Sequence, residues 1–318
     1  MSPYRGRFAP SPTGDLHLGS VATALVTWLA ARSAGGHLIL RIEDLDRPRV
    51  VPGSEDRQRE DLEWLGLDWD EGPGRDEAEG PYRQSERSAL YESSLALLRA
   101  KNRIYFCDCS RAEVARIASA PHAADEGPRY PGLCRTFGLA ERPWRRPPAL
   151  RLAVPERTVE LVDRFQGAIR QDVYGSVGDF VLKRGDGVYS YQLAVVVDDL
   201  AMGISEVVRG ADLLGSAPRQ VLLAELLGGR APGYAHAPLV LSADGSRLAK
   251  RARGVSLRDH RAAGRRPGRI VAEVARMLGL LDPNETEEIE PGELLAGDRL
   301  ERLRSRSEVR LPPSLELA

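Results

Sequence analysis

The sequence predicts an α/β protein built on a doubly wound parallel sheet, and three observations support this prediction. Apolar runs alternate with amphipathic helical periods between residues 5 and 100, as they do in successive β-α-β units. A turn rich in Pro and Gly, over residues 10–14, joins the first strand to the first helix. The alternation stops near Tyr105 and resumes after about residue 186, which predicts an insertion between two halves of one sheet.

The first β-α unit is predicted to form a phosphate site. A strand over residues 5–9 leads through the turn to a helix that begins at His17 to Gly19 and ends at Gly35-Gly36. Its apolar residues recur at helical spacing and share one face. Unpaired backbone N–H groups and the helix dipole favour phosphate at such a start, where His17 offers a donor and Gly19 permits close approach. The alternative is an ordinary strand-turn-helix with a surface histidine.

The next elements continue the alternation. A strand is expected over residues 37–43, with Leu38, Leu40 and Ile42 on one face and Arg41 and Glu43 on the other. Ser54 is expected to open a helix that Gly66 stops. A further helix is predicted from residue 85, with an apolar set that comprises Leu90, Tyr91, Leu95, Leu97 and Leu98.

The insertion and the segments behind it have their own patterns. A capping box is predicted at Ser110 and Glu113, and short strands over residues 150–184 predict an antiparallel arrangement. The apolar run 193–197 and a helix over residues 218–227 return to buried α/β character. Beyond Arg251 the chain is rich in Arg, and one amphipathic helix carries Ile270, Val274 and Met277.

Composition limits the class of protein. The chain has 318 residues, 42% hydrophobic and 29% charged, with a net charge of -1, as expected for a soluble globular protein. Three cysteines argue against a disulfide framework. The sequence shows no signal peptide, and no apolar run approaches the roughly 20 residues that span a membrane, so a cytoplasmic protein is expected. Basic clusters at residues 247–269 and 142–151 are either phosphate-backbone contacts or solvated faces.

A second candidate phosphate contact follows residue 239. Asp244-Gly245 predicts a tight turn that delivers Arg247, Lys250 and Arg251 from one loop. A mobile basic loop suits a polyphosphate whose charge grows in a transition state. The alternative is a hairpin with a solubilising tip.

Two further motifs suggest contacts to an ionised small molecule. Acidic residues at the end of the second strand, Glu43 among them, stand where open α/β sheets bind ligands and suit an ammonium group, although a salt-bridged turn is equally consistent. Later in the chain, Arg209 is suited to clamp a carboxylate and Tyr191 to hydrogen-bond it. Asp198 and Asp199 follow the apolar run and are candidates for the same cleft.

The cysteines predict a metal site. Cys107, Cys109 and Cys134 have spacings that suit tetrahedral zinc, which needs a fourth protein ligand in a structural site. On chemistry alone His122 is favoured over Tyr130, because a phenol must lose its proton to bind well. Three reduced, buried cysteines without metal are the alternative.

In this order the motifs resemble those of class I aminoacyl-tRNA synthetases, specifically the glutamyl branch. The run His17-Leu18-Gly19-Ser20 is similar to the HIGH signature, and residues 247–251 are similar to a degenerate KMSKS loop. Residues 8–14 and 41–44 are similar to segments particular to enzymes that activate glutamate or glutamine. The similarity covers about residues 4–255. Only 67 residues follow Arg251, which favours the truncated members, the glutamyl-Q tRNA(Asp) synthetase family, over members with a full anticodon-binding domain.

The resemblance implies a Rossmann-like catalytic domain in two halves, over residues 1–104 and 186–255. An insertion with the zinc motif and short strands occupies residues 105–185, and residues 256–318 form a short Arg-rich and helical C-terminal remnant. It also implies a cytoplasmic monomer without membrane contact.

The resemblance further implies specific roles. The glutamate pocket would comprise Arg7, Ala9, Ser11, Glu43, Tyr191 and Arg209, with Glu43 on the α-ammonium group and Arg209 on a carboxylate. His17, Gly19 and Lys250 would be the catalytic and ATP-binding residues. The zinc ligands would be Cys107, Cys109, Tyr130 and Cys134, which replaces the chemical preference for His122.

The reaction implied is activation of L-glutamate by ATP, with Mg²⁺, to glutamyl-adenylate without tRNA. Glutamate then passes to the queuosine base in the anticodon of tRNA(Asp). The alternatives are a glutamyl-tRNA synthetase that charges a tRNA 3′ end, and a catalytically inactive RNA-binding module. Arg247 and Ala249 depart from the loop consensus, which has Lys and Ser at these places.

Overall fold

The computed structural model describes residues 3–75, 80–117, 129–246, 248 and 256–315. The helices in these ranges are α1 Leu18–Ser33, α2 Ser54–Trp64, α3 Ser88–Ala100, α4 Arg111–Ile117, α5 Val173–Ser176, α6 Tyr191–Ala201, α7 Ala217–Leu227, α8 Leu257–Ala262 and α9 Pro267–Leu278. The strands are β1 Arg5–Phe8, β2 His37–Leu40, β3 Ile104–Cys107, β4 Ala149–Leu152, β5 Thr158–Asp163, β6 Gly167–Asp172, β7 Val181–Lys183, β8 Glu206–Gly210, β9 Gly233–Ala237, β10 Leu239–Leu241 and β11 Glu308–Arg310. Among the described helices, none has the length and apolar character needed to cross a bilayer.

Parallel pairing of the central strands confirms the predicted α/β class. β1 pairs with β2, and β8 pairs with β9, both in parallel register. β1 also lies beside β8, where the Ser205 N–H donates to the carbonyl of Arg5 at 2.9 Å. The hydrogen-bonded ladder is therefore divided into short sheets rather than one continuous doubly wound sheet.

Helix α1 begins at the predicted residue and packs as its apolar periodicity requires. Val21, Leu25 and Leu29 are at most 1% exposed and join a core to which α9 contributes Ile270 and Val274. α1 is buried along most of its length, and its N-terminus lies at the carboxyl edge of β1. This is the edge at which open α/β sheets bind ligands.

Two predicted elements differ from the structure. The strand expected over residues 37–43 ends at Leu40, and Arg41 is fully buried instead of lying on a polar face, because it has acidic partners inside the fold. The helix expected from Ser85 begins at Ser88: Ser85 bonds the Asp44 carboxylate through its N–H and hydroxyl. Leu90 and Leu97 are each 40% exposed, whereas the apolar face of this helix is formed by Tyr91, Leu95 and Leu98.

The insertion contains the antiparallel strands that were predicted. β3, β4 and β7 form one antiparallel sheet, and β5 and β6 form a hairpin. β5 also pairs in parallel with β9 through Asp163 and Tyr234. The insertion is thereby joined to the second half of the chain beside the residues that line the cavity described below.

The C-terminal elements pack on both halves, α9 against α1 and β11 against β10. The predicted helix after residue 251 is α9, with Ile270 and Val274 buried. β11 pairs in parallel with β10, and the Leu311 N–H donates to Leu241 O at 2.8 Å. β10, the strand that leads into the basic loop, is thus hydrogen-bonded to β11 and to Leu311.

Candidate active site and cysteine cluster

A cavity of about 700 Å³ opens between β1, the start of α1 and β8. Eight of the predicted site residues line it: Arg7, Ala9, Ser11, His17, Gly19, Glu43, Tyr191 and Arg209. Leu248, from the predicted basic loop, also lines it. Lys250, the ninth predicted residue, lies outside the described residues, as do Arg247 and Arg251.

His17 forms the N-cap of α1. Its Nδ1 accepts a hydrogen bond from the Ser20 N–H at 3.1 Å, so the ring proton resides on Nε2 when the imidazole is neutral. Burial lowers the pKa of His17, an effect that the Asp212 carboxylate opposes. A Cβ at Gly19 would stand 3.1 Å from the His17 ring, so a larger residue there would press on the imidazole. His17 Nε2 lies 3.1 Å from the Ser20 hydroxyl. The ring and this hydroxyl thus stand together at a helix start, where unpaired backbone N–H groups favour an anion.

The turn before α1 is held by two polar side chains of α2. The sequence predicted Ser54 only as the start of that helix and did not predict a role for Gln58. Ser54 Oγ donates to Gly14 O at 2.6 Å and accepts from the Gly14 N–H at 3.1 Å. Gln58 Nε2 donates to the carbonyls of Gly14 and Ser11 at 2.7 and 3.2 Å. These contacts fix the backbone that carries Ser11 into the cavity.

Glu43 and Arg7 share a buried ionic cluster at one side of the cavity. Arg41 donates through Nη1 to Asp199 at 2.7 Å and through Nη2 to Glu43 at 3.2 Å. Arg7 Nε donates to the same Asp199 oxygen at 3.3 Å. Burial raises the pKa of Glu43, and the positive charges of Arg41 and Arg7 oppose this rise.

Asp198, a second predicted candidate for the cleft, does not line the cavity. Its carboxylate is fully buried and accepts hydrogen bonds from Arg87, Gln84 and Tyr91 at 2.6 to 3.0 Å. The neighbouring Asp199 reaches the cavity only through the arginines that it binds. The sequence placed both carboxylates near the cleft, whereas the structure uses them as internal counter-ions.

Arg209, on β8, is 4% exposed and is bonded on all of its nitrogens. Nε donates to His236 Nε2 at 2.9 Å, and Nη1 donates to Gln220 Oε1 at 2.6 Å and to the Tyr191 hydroxyl at 3.4 Å. Nη2 donates to Leu213 O at 3.2 Å. The sequence reading identified Arg209 and Tyr191 but missed His236 and Gln220, which lie on β9 and α7 and carry no motif.

The charges of the cavity fit one class of ligand. Arg7 and Arg209 are cationic, Glu43 is an acid, and the start of α1 lies between the same walls. Two guanidinium groups with one carboxylate complement a small molecule that carries two carboxylates and an ammonium group. The helix start, in turn, suits a nucleotide phosphate beside it.

The basic loop leaves and re-enters the fold beside this helix start. The predicted turn is present: the Gly245 N–H donates to Ser242 O at 2.9 Å. Beyond the loop, the Leu257 N–H donates to Leu16 O at 2.7 Å, and Ser256 bridges to His17. The described residues after Lys250 are therefore anchored at the start of α1, and Val240 and Leu248, which precede Lys250, line the cavity.

The three cysteines lie together, with their Sγ atoms all within 4.8 Å of one another. Cys109 Sγ is 3.7 Å from Cys134 Sγ, and the Tyr130 hydroxyl is 3.2 Å from Cys107 Sγ and 3.6 Å from Cys109 Sγ. Tetrahedral zinc with bonds of about 2.3 Å to sulfur places its ligand sulfurs about 3.8 Å apart. The donor set and its spacing therefore fit zinc. His122 lies outside the described residues.

Charged groups surround the cysteine cluster. The Arg151 guanidinium stands 3.9 Å from the centre of the Tyr130 ring, within the range of a cation–π contact. Arg142 and Arg145 bond the buried carboxylate of Asp108, between the two cysteines of the Cys-x-Cys motif. Burial alone would raise the pKa of Asp108, but the hydrogen bonds from Arg145 and Arg142 hold this pKa at about 2. Part of the basic cluster at residues 142–151 is thus used inside the fold.

Residues 4–309 match the model of a family described as tRNA synthetases class I (E and Q), catalytic domain. The chain is 50% identical to the glutamyl-Q tRNA(Asp) synthetase of Symbiobacterium thermophilum, over 96% of this chain and 95% of that protein. It is 49% identical to the protein of the same name from Nocardia farcinica, over 86% of this chain and 85% of that protein. A glutamate tRNA ligase from Elizabethkingia meningosepticum, in complex with its amino acid, superposes with a TM-score of 0.79 at 29% identity, covering 99% of this chain and 68% of that one.

Proposed function

We infer the function from one premise: this chain belongs to the class I glutamyl- and glutaminyl-tRNA synthetase family, and within it to the glutamyl-Q tRNA(Asp) synthetases. We propose that it activates L-glutamate with ATP in the absence of tRNA. The resulting glutamyl-adenylate then passes its glutamyl group to the queuosine base of tRNA(Asp). The names of the relatives support the acceptor, and the charges of the cavity support the amino acid.

The observation that carries this proposal is the pairing of a helix-start phosphate site with a cavity of matching charge. Arg209, with the Tyr191 hydroxyl, is proposed to hold one carboxylate of glutamate. Glu43 is proposed to accept from the α-ammonium group, since its second carboxylate oxygen is not engaged by Arg41. Arg7 and the Ser11 segment form the remaining wall, and the small Ala9 leaves room for the substrate.

The proposed chemistry needs no general base. The α-carboxylate of glutamate is already ionised at neutral pH, and one of its oxygens attacks the α-phosphorus of ATP in line. The bond to the bridging oxygen breaks, and pyrophosphate leaves with its charge. His17 and the backbone at Gly19 are proposed to hold the phosphates, and Lys250 is proposed to neutralise charge as it develops. Mg²⁺ is proposed to arrive with ATP.

Zinc is proposed as a structural ion held by Cys107, Cys109, Cys134 and Tyr130. The cluster lies in the insertion, at the end of β3, and is separate from the residues that line the cavity. With four protein ligands the site would be closed, as structural zinc sites are. Its proposed work is to fix the chain around β3 and not to take part in adenylation.

ATP–pyrophosphate exchange tests the first step. Purified protein is assayed with each amino acid singly, first without and then with tRNA, with glutamine and aspartate as the matched controls for charge and length. Exchange with glutamate alone supports the proposal. Exchange with glutamate only when tRNA is added favours a glutamyl-tRNA synthetase, and no exchange with any amino acid favours the RNA-binding module.

The acceptor needs a second experiment. Labelled glutamate is offered with tRNA(Asp) that contains or lacks queuosine, and with tRNA(Asp) shortened by its 3′ adenosine. We expect transfer to the queuosine-containing tRNA whether or not the 3′ adenosine is present. Transfer that requires the 3′ adenosine, or that ignores queuosine, would refute the base-modifying role while leaving glutamate activation in place.

A further inference from the structure

Behind the substrate-facing side of Arg209 lies a buried pair of side chains that no motif predicted. His236 Nε2 accepts from Arg209 Nε at 2.9 Å, and His236 Nδ1 is 2.6 Å from Asp163 Oδ2. Asp163 and His236 are both fully buried at their side chains. The three residues come from β5, β9 and β8, so the pair joins the insertion to the cavity wall.

We propose that Asp163 and His236 are positioning residues for the carboxylate-binding Arg209, because Asp163 fixes the ring tautomer of His236 that accepts from the guanidinium. This inference rests on the proposed function, in which Arg209 holds glutamate. It assigns to a carboxylate of the insertion a part in amino-acid binding, although Asp163 does not line the cavity.

The tautomer follows from the donors and acceptors. Arg209 Nε has a hydrogen and no lone pair, so the ring nitrogen that faces it must be an acceptor. A neutral ring with Nε2 as acceptor carries its hydrogen on Nδ1, and this hydrogen points to the Asp163 carboxylate. Asp163 is itself held, since its Oδ1 accepts from the backbone N–H groups of Phe165, Gln166 and His236 at 2.9 to 3.1 Å.

The surroundings keep the ring neutral. Charged and titratable groups that face it are Asp163, Arg209, Arg7 and Tyr234, whose ring stacks on the imidazole with centroids 6.1 Å apart. Burial lowers the pKa of His236, the Asp163 carboxylate opposes this, and the charges of Arg209 and Arg7 add to the lowering. A second proton on the ring would point at the guanidinium and remove its acceptor.

Hydrogen bonds from all three of its nitrogens fix the orientation of the Arg209 guanidinium. Its five N–H donors are shared among His236, Gln220, Tyr191 and Leu213 O. These contacts occupy four donors and leave one N–H of Nη2 for a ligand. The Tyr191 hydroxyl, which accepts from Arg209, keeps its own hydrogen for the same ligand. Loss of the acceptor at Nε would leave a buried donor unpaired and free the guanidinium to turn.

Asp163→Asn is the decisive variant. The amide keeps an oxygen for the three backbone donors but presents an NH₂ group to Nδ1, which moves the ring hydrogen to Nε2 and sets two donors against each other. We expect the KM for glutamate in exchange to rise about tenfold to hundredfold, with the KM for ATP unchanged. His236→Gln, whose terminal oxygen reaches the place of Nε2, should raise this KM less than Asp163→Asn does. In that background Asp163→Asn should add little.

The inference is overturned if the wild type and Asp163→Asn have the same KM for glutamate. It is also overturned if Asp163→Asn raises this KM by the same factor in the wild type and in the His236→Gln background. If Asp163→Asn does not fold, the comparison of His236→Gln with His236→Leu decides, because only Gln supplies an acceptor. Should the wild type show no glutamate-dependent exchange, the proposed function fails. The ring tautomer is then read from ¹H–¹⁵N correlation spectra, assigned with His236→Gln, and a protonated Nε2 at pH 7 overturns the inference by itself.

Discussion

Arg41 Nη1 lies 2.7 Å from Asp199 Oδ1, and both side chains are withdrawn from solvent. The two residues are 158 positions apart in the chain, one directly after β2 and the other in α6, with the whole insertion between them. Asp199 also accepts from Arg7. A single carboxylate thus joins the two halves of the catalytic region and supports a residue of the proposed glutamate pocket.

Asp199→Asn is expected to lower both stability and glutamate binding. The change keeps the size of the side chain but removes the carboxylate charge that Arg7 and Arg41 share. Arg41 retains the carboxylates of Glu43 at 3.2 Å and Asp198 at 3.9 Å. Removing one charge of a buried ion pair costs about 3–5 kcal/mol, and the KM for glutamate should rise because Arg7 loses the carboxylate charge that its Nε contacts. Urea denaturation and exchange kinetics measure the two effects.

The matched control for this variant is Asp186→Asn. Asp186 pairs with Arg184 in an exposed turn, where both side chains are 50% exposed, so its loss should cost less than about 1 kcal/mol. Equal free energies of unfolding for Asp199→Asn and Asp186→Asn would show that the buried ion pair stabilises the protein no more than the exposed one.

His17 variants separate capping from phosphate binding. His17→Asn retains an N-cap acceptor for the Ser20 N–H but removes the imidazole donor, whereas His17→Ala removes both. We expect both variants to lose about a hundredfold or more in the exchange rate. Only His17→Ala should also lose stability, by about 1 kcal/mol, in thermal or urea unfolding. Full exchange activity in His17→Asn would assign His17 to helix capping alone.

Two measurements test the metal site: the zinc content of the protein, and the effect on zinc retention of replacing each candidate for the fourth ligand. We expect about one zinc per chain by elemental analysis of the wild type, and loss of the metal in Cys134→Ser, with a lower melting temperature because structural zinc contributes folding energy. Tyr130→Phe should weaken zinc retention against a chelator, and His122→Ala should not. The reverse order for these two variants would make His122 the fourth ligand.

The sequence predicted the cavity better than it predicted what holds the cavity together. Residues such as Arg7, Glu43 and Arg209 stand in motifs at strand ends, so their types and order pointed to one site. The partners of these residues carry no local signal: His236 is 27 positions from Arg209, and Asp163 is 73 positions from His236. Alternation predicted a polar face for Arg41, because strand periodicity contains no information about counter-ions supplied by α6.

Asp61 carries a prediction about pH. It lies on α2, fully buried, and neither carboxylate oxygen has a hydrogen-bond partner among the described residues. Arg258 and Arg261 of α8, which follows the basic loop, approach it at 3.4 and 3.6 Å. Burial raises the pKa of Asp61 to about 6, although these two arginines oppose the rise.

The sign of the effect follows from the direction of the shift. An unfolded aspartate has a pKa of about 3.9, so between about pH 4 and pH 6 the folded protein holds a proton that the unfolded chain has released. The stabilisation linked to this proton is complete below about pH 4 and is lost as the pH rises through about 6. Asp61→Asn should therefore raise the free energy of unfolding at pH 7.5, by about 1–3 kcal/mol, and by much less at pH 5.

Urea denaturation at the two pH values measures this difference, and Glu60→Gln is the matched control. Glu60 pairs with the same Arg258, but its side chain is 59% exposed, so its removal should change stability by less than about 1 kcal/mol at either pH. A larger loss of stability in Asp61→Asn at pH 7.5 than at pH 5 would contradict the prediction. It would mean that the attraction of the ionised carboxylate to Arg258 and Arg261 exceeds the cost of burying its charge, so that α8 would be held against α2 by that charge.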